Sequence, residues 1–242
     1  MAGMAQLPGS NETGSPARSR SGARSGTGPG ELGVPPSQLP HARRLWLAVV
    51  AAGVIGLVGG VATFLAEGLI DSPVWVGIFH SLTLWAMITI GVGANLRNQW
   101  RLAALAGLVT QIGLVTSYYS AKSVLAGHPL SVASLVIYSL VAVFAGPLCG
   151  AAGACLRDRR LLIRVLSLGV ASAPWIADGV RGIMGTVATG LNVEAKMVEG
   201  VCFIAVGLFL PLVISRSLRD WLRSLVVAAG LVGLVVLVDL LR

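Results

Sequence analysis

Charged and apolar residues along this chain are segregated into alternating blocks rather than mixed residue by residue. Seven apolar stretches follow one another, at 45–66, 74–96, 102–120, 130–155, 161–180, 197–215 and 222–241. An α-helix rises 1.5 Å per residue, so about 20 apolar residues cross a hydrocarbon core of about 30 Å. The blocks match that length and lack the short periodic pattern of a soluble helix. The pattern predicts an all-α fold, a polytopic transmembrane bundle of about seven helices. The fifth stretch is the least apolar, because Arg164 and Asp178 leave only a short charge-free run. A charge at a span centre costs about 2.5–3.5 kcal/mol, and less near an end where the side chain can snorkel. Both charges fall near the ends of that stretch.

Residues 1–40 contain no apolar run and are rich in Gly, Ser, Pro and Arg. Such a segment buries too little surface to offset its ordering entropy and is expected to be a disordered cytoplasmic tail. It has no apolar core of the kind a signal peptide needs. The domain assignment is therefore a tail over 1–40 and a seven-helix membrane domain over 41–242.

Composition agrees with the pattern. Hydrophobic residues make up 55% of the chain and charged residues 12%. A soluble domain carries about 25% charged residues, which it needs to cover its surface; a lipid-coated protein does not. The net charge of +8 raises the question of nucleic acid. No basic face interleaved with aromatics is present, so nucleic acid is not an expected partner. The partner that the composition calls for is the lipid bilayer.

The positive charges set an orientation. With the N-terminus inside, the inner segments carry fourteen cations: Arg18, Arg20, Arg24, Arg43, Arg44, Arg97, Arg101, Arg157, Arg159, Arg160, Arg164, Arg216, Arg219 and Arg223. The outer segments carry Lys122, Arg181, Lys196 and Arg242. Cation-rich loops stay in the cytoplasm, so the N-terminus is predicted inside and the C-terminus outside a cell membrane. Removing the fifth span would place the three arginines of 216–223 outside and break the alternation. Trp46, Trp75, Trp100, Trp175 and Trp221 fall near predicted boundaries, where amphipathic rings collect; Trp85 alone is central. Gly56-x-x-x-Gly60 and Gly146-x-x-x-Gly150 are spacings that allow close helix approach. Pro147, Pro174 and Pro211 are expected to kink or cap their helices.

Polar groups inside a membrane are costly, which makes each a functional candidate. Successive residues turn by about 100° on a helix, placing His80, Thr83, Met87 and Gly91 on one face of the second span. His80, with an ordinary pKa near 6.5, is either a proton-handling group or a neutral ring bonded to a neighbouring helix. On the third span Gly107, Gln111, Tyr118 and Lys122 share a stripe that either lines an outward cavity or binds helices together. Asp178 and Arg181 sit at i,i+3 and can pair. With Glu67, Asp71, His128, Glu194, Lys196 and Glu199 they make the outer face chemically varied. The stretch 182–196 is read either as helix or as an interfacial or re-entrant segment.

Several chemistries are excluded by their missing motifs. The chain has no His-Glu-x-x-His zinc site, no Gly-x-Ser-x-Gly elbow and no phosphate-binding loop. The last span holds no lysine for a retinal Schiff base. Cys149, Cys155 and Cys202 match no zinc or redox spacing and are read as small packing residues. No cofactor or metal is called for.

From Val74 onward, about 70% of the chain, the sequence resembles an uncharacterised family of multi-pass membrane proteins of high-GC Gram-positive bacteria. The likeness lies in Leu84-Trp85-Ala86, in the Arg101-to-Tyr119 span ending in Tyr118-Tyr119, and in Ala145-Gly146-Pro147-Leu148-Cys149-Gly150-Ala151-Ala152-Gly153. It continues in Val198-Glu199-Gly200 and Leu208-Phe209-Leu210-Pro211. The family is defined only as a domain of unknown function and brings no activity. It implies an acidic residue near the end of the fifth span and another opening the sixth; Asp178 and Glu199 occupy those places.

The expected function is a non-enzymatic transporter-like module or an accessory membrane subunit, with a membrane-protein partner or a second copy as associate. His80, Gln111, Tyr118, Asp178 and Glu199 are the candidate site. The competing reading is a membrane-embedded enzyme acting on a lipid or lipid-linked substrate at the outer face. That reading requires His80, Asp178 and Glu199 to converge.

Overall fold

The computed structural model describes residues 39–69, 78, 81–127, 129, 131–189, 193–215 and 217–240. The tail through residue 38, Asp71, Trp75, His80, His128 and Gly190 lie outside the described residues. Seven helices account for the described chain: α1 (Leu39–Leu69), α2 (Leu82–Ala94), α3 (Trp100–Ala126), α4 (Val132–Cys155), α5 (Leu161–Thr189), α6 (Val193–Ile214) and α7 (Leu218–Leu240). No strand occurs among the described residues. All the helices except α2 are long and apolar enough to cross a membrane; the described α2 has 13 residues, or about 20 Å of rise.

The helices form two groups. In the first, α3 lies between α1 and α4, with α2 packed on α3 and α4; in the second, α5 lies between α6 and α7. The groups meet where α4 and α2 touch α5. About half of the span residues of α3 and α5 are buried, against about a fifth in α1, α4, α6 and α7. The outer helices turn Leu57, Val58, Val136, Phe144, Phe209, Val213 and Val226 away from the protein. In water that surface would be prohibitive; beside lipid it is the expected coat.

Small residues let the helices meet backbone to backbone. Gly107 and Gly150 lie so close that a methyl at Gly150 would fall 3.0 Å from the Gly107 Cα and onto the Ala103 carbonyl. Gly93 and Gly153 make the same kind of contact between α2 and α4, and Gly56 and Gly60 between α1 and α3. The two small-residue spacings of the sequence therefore sit at helix interfaces. Lipid tails are as apolar as leucine, so close packing has to supply the attraction between helices here. Pro147, Pro174 and Pro211 all fall inside helices rather than at caps. Each withholds the amide proton that a carbonyl one turn back would otherwise take.

Two expectations about the fifth helix change. Helix α5 runs on to Thr189, and α6 begins at Val193, so nearly all of 182–196 is helical. Trp175 and Asp178 consequently lie well inside α5 rather than at its end. The Trp175 ring meets Phe203 edge-on at 5.4 Å, and its Nε1 is buried without a partner among the described residues. Arg164, expected to snorkel, is instead buried against Asp220 of α7; both side chains are 8% exposed. Its guanidinium also donates to the Asp158 carbonyl at 3.2 Å. The ion pair replaces the water that snorkelling would have reached.

Candidate functional site

The amino end of α2 is the point where the two helix groups are joined by polar contacts. The first four amides of any helix have no intrahelical acceptor. In α2, Ser81 caps one of them, its Oγ accepting from the Leu84 amide at 3.3 Å. Another is met from the opposite group: the Thr83 amide donates to Asp178 Oδ2 at 3.0 Å, and the Thr83 hydroxyl donates to the same oxygen at 2.6 Å. A carboxylate at a helix amino terminus also faces the positive end of the helix dipole. On its own helix Asp178 has Arg181 at 3.9 Å, the i,i+3 pairing read from the sequence.

Beside this junction lies a cavity of about 270 Å³. Leu82, Trp85 and Ala86 of α2, Gln111 of α3 and Val141, Ala145, Leu148 and Cys149 of α4 form one side of it. Helix α5 gives the stretch from Val170 to Arg181, and α7 gives Leu231, Val232 and Val235. The polar side chains on this wall are Gln111, Asp178 and Arg181, with the Trp85 indole among the apolar ones. Gln111 donates from Nε2 to the Trp85 carbonyl at 3.2 Å, an acceptor it shares with the Thr89 hydroxyl at 2.9 Å.

Four of the five sequence-selected residues are described, and two of these four line the cavity. Gln111 and Asp178 share the cavity wall. Tyr118 is buried one layer away, its ring 5.5 Å edge-on from Trp85 and its hydroxyl donating to Glu67 Oε2 at 2.9 Å. Lys122 stands 5.9 Å over the Tyr118 ring. Glu199 is buried at the start of α6 and accepts from Lys196 at 3.0 Å. His80 lies outside the described residues. The α3 stripe is thus divided by its neighbours: Gly107 closes on α4, Gln111 faces the cavity, and Tyr118 turns to α1.

Sequence reasoning missed two partners. Thr83 was placed on a face of the second span without its acceptor, which lies 95 residues away. Asp220 was not singled out at all. Its local signal is Ser217-x-x-Asp220 at the start of α7, where the Ser217 Oγ accepts from the Asp220 amide at 3.2 Å.

Residues 39–242 match a family of unknown function, DUF6518. The chain belongs to this family. No curated protein and no solved structure matches it. The DUF6518 match takes in α1, so it reaches further toward the N-terminus than the resemblance read from Val74 onward. It covers every helix that builds the α2–α5 junction and the cavity, and it assigns none of them a role.

Proposed function

We propose that this protein is a non-enzymatic, transporter-like module of the cytoplasmic membrane of a high-GC Gram-positive bacterium, with its N-terminus inside and its C-terminus outside. One observation carries the reading: α2, the short helix of the first group, has its amino end held by a carboxylate of the second group. Interrupted or short helices whose amino ends face an anion at the meeting of two helix groups are a recurring device for binding and alternating access in transporters. The analogy concerns architecture alone. Asp178 is the hinge contact in this reading, and Gln111, Tyr118, Glu199 and His80 are the other groups on the route.

The test is ion and solute flux in proteoliposomes, read as charge movement on a solid-supported membrane. Wild-type protein is expected to give a saturable current, and Asp178→Ala to lower it at least tenfold. A current unchanged when His80, Gln111, Tyr118, Asp178 and Glu199 are all substituted refutes the reading. The accessory-subunit version instead predicts that a membrane-protein partner co-purifies in mild detergent while the isolated chain gives no current. The outer-face enzyme has less support. Asp178 and Glu199 bond separate partners, Thr83 with Arg181 and Lys196 respectively, so each carboxylate is already engaged.

A further inference from the structure

We infer that the cavity between the two helix groups is a binding site for an electrically neutral, single-chain amphiphile that enters sideways from the bilayer. The inference rests on the membrane reading above and adds a ligand class to it.

The shape of the cavity argues for a chain. Its α5 wall runs from Val170 to Arg181, twelve residues spanning about 16 Å of helix rise. A dry apolar cavity of about 150 Å³ is enough to hold benzene, so 270 Å³ along that length suits one slender chain. A two-chain lipid is far too large. The walls away from Asp178 and Arg181 are apolar: Ala86, Leu148, Cys149, Val170 and Leu231.

Its opening argues for the bilayer as the source. Helices α4 and α7 both line the cavity yet share no substantial contact with each other, which leaves a gap between them. Val141 and Leu148 of α4 are exposed along that gap. The medium beside it is hydrocarbon, so a lipophilic ligand reaches the site without crossing water.

Polar groups specify the head. Asp178 and Arg181 carry opposite charges and stand as an ion pair at one end, so the charges of the described lining residues cancel. A charged head would be taken from water with no counter-charge to receive it, at a cost of several kcal/mol. Hydrogen-bonding capacity remains, however. Gln111 is only 5% exposed, donates through Nε2, and makes no other hydrogen bond among the described residues. Trp85 is 8% exposed, and its buried Nε1 has no partner among the described residues. Buried polar groups are nearly always satisfied. An unspent amide oxygen on the cavity wall suits an uncharged head that donates a hydrogen bond, such as a glycerol monoester.

The experiment uses full-length protein in nanodiscs and follows Trp85 fluorescence, taken as the difference between wild type and Trp85→Phe. The probes are a bromine-labelled monoacylglycerol, the corresponding brominated fatty acid at pH 9, and a brominated diacyl phospholipid. Saturable quenching by the monoacylglycerol is expected, with the other two quenching weakly and without saturation. Gln111→Leu is expected to weaken monoacylglycerol binding at least fivefold, and Ala145→Leu with Ala173→Leu to abolish it. Preference for the fatty-acid anion overturns the neutral-head assignment. Equal quenching by the diacyl lipid, or saturable quenching that survives in both Gln111→Leu and the filled variant, overturns the site. Because the readout is binding, it separates the two claims. Binding without flux removes the transporter reading and keeps this one, whereas flux without binding does the reverse.

Discussion

A buried ion pair joins α5 to α7 beside their apolar contact of Ala173 and Ala177 with Ala228 and Val232. Arg164 and Asp220 are each 8% exposed, and Asp220 is further held by Ser217. Burying two charges gains little over a well-packed apolar pair, but leaving one of them alone costs about 3–5 kcal/mol. Arg164→Met and Asp220→Leu are therefore expected to destabilise the protein by about that amount each. The double variant should lose less than either single one, because neither charge is stranded. Unfolding in mixed micelles, followed by helical circular dichroism, checks this; losses that simply add would show that the two residues are not coupled. The Arg164 cation was visible in the sequence as an anomaly, but its partner was not. Nothing local relates positions 56 apart, and the charge pattern alone favoured an arginine reaching for water. The Asp178–Thr83 contact was hidden for the same reason, although Asp178 itself stood out as a carboxylate inside an apolar stretch.

The helices themselves were largely legible, because apolar length is a one-dimensional property and the bilayer acts on it directly. What the sequence hid was how far a helix continues past its apolar part. The glycines of 182–196 left that stretch open between helix and an interfacial or re-entrant segment, and α5 runs through to Thr189. Helix α2 shows the converse: the apolar stretch 74–96 is long enough to span, while the described helix begins at Leu82 after the Ser81 cap. Glycine spacing named interfaces without naming which glycines matter, and the structure separates them. A methyl at Gly150 collides with the α3 backbone, whereas one at Gly230 meets nothing within 4 Å. Gly150→Ala is expected to cost about 1–3 kcal/mol through overpacking. Gly230→Ala should be neutral or stabilising by up to about 1 kcal/mol, since alanine favours the helix. The same micelle unfolding assay distinguishes them, and equal effects would mean that α3 and α4 are not held at backbone contact.

Alternation of the loops is supported by two independent kinds of observation, and only one of them says which side is the cytoplasm. Geometry gives the pairing. The carboxyl ends of α2, α4 and α6 come together, with Arg97, Arg157 and Ile214 lining one shallow pocket. Near the carboxyl ends of α1 and α3, Glu67 meets Tyr118, which places those two ends on a common side as well. A bundle whose odd and even helices run in opposite directions produces this arrangement. The cations then choose the side, because the ends at Arg97 and Arg157 belong to the loops rich in arginine. Alkaline phosphatase fused after Arg242 is expected to be active, and fused after Arg157 inactive; green fluorescent protein at the same sites should give the opposite pattern. A cytosolic reporter at Arg242 would mean that one helix fails to cross. A further fusion at Arg97 then narrows it: an active phosphatase there indicts α1 or the short α2, and an inactive one indicts a later helix. If α2 is the one that fails, its amino end no longer faces Asp178 across the bilayer interior, and the transporter reading loses the contact on which it stands.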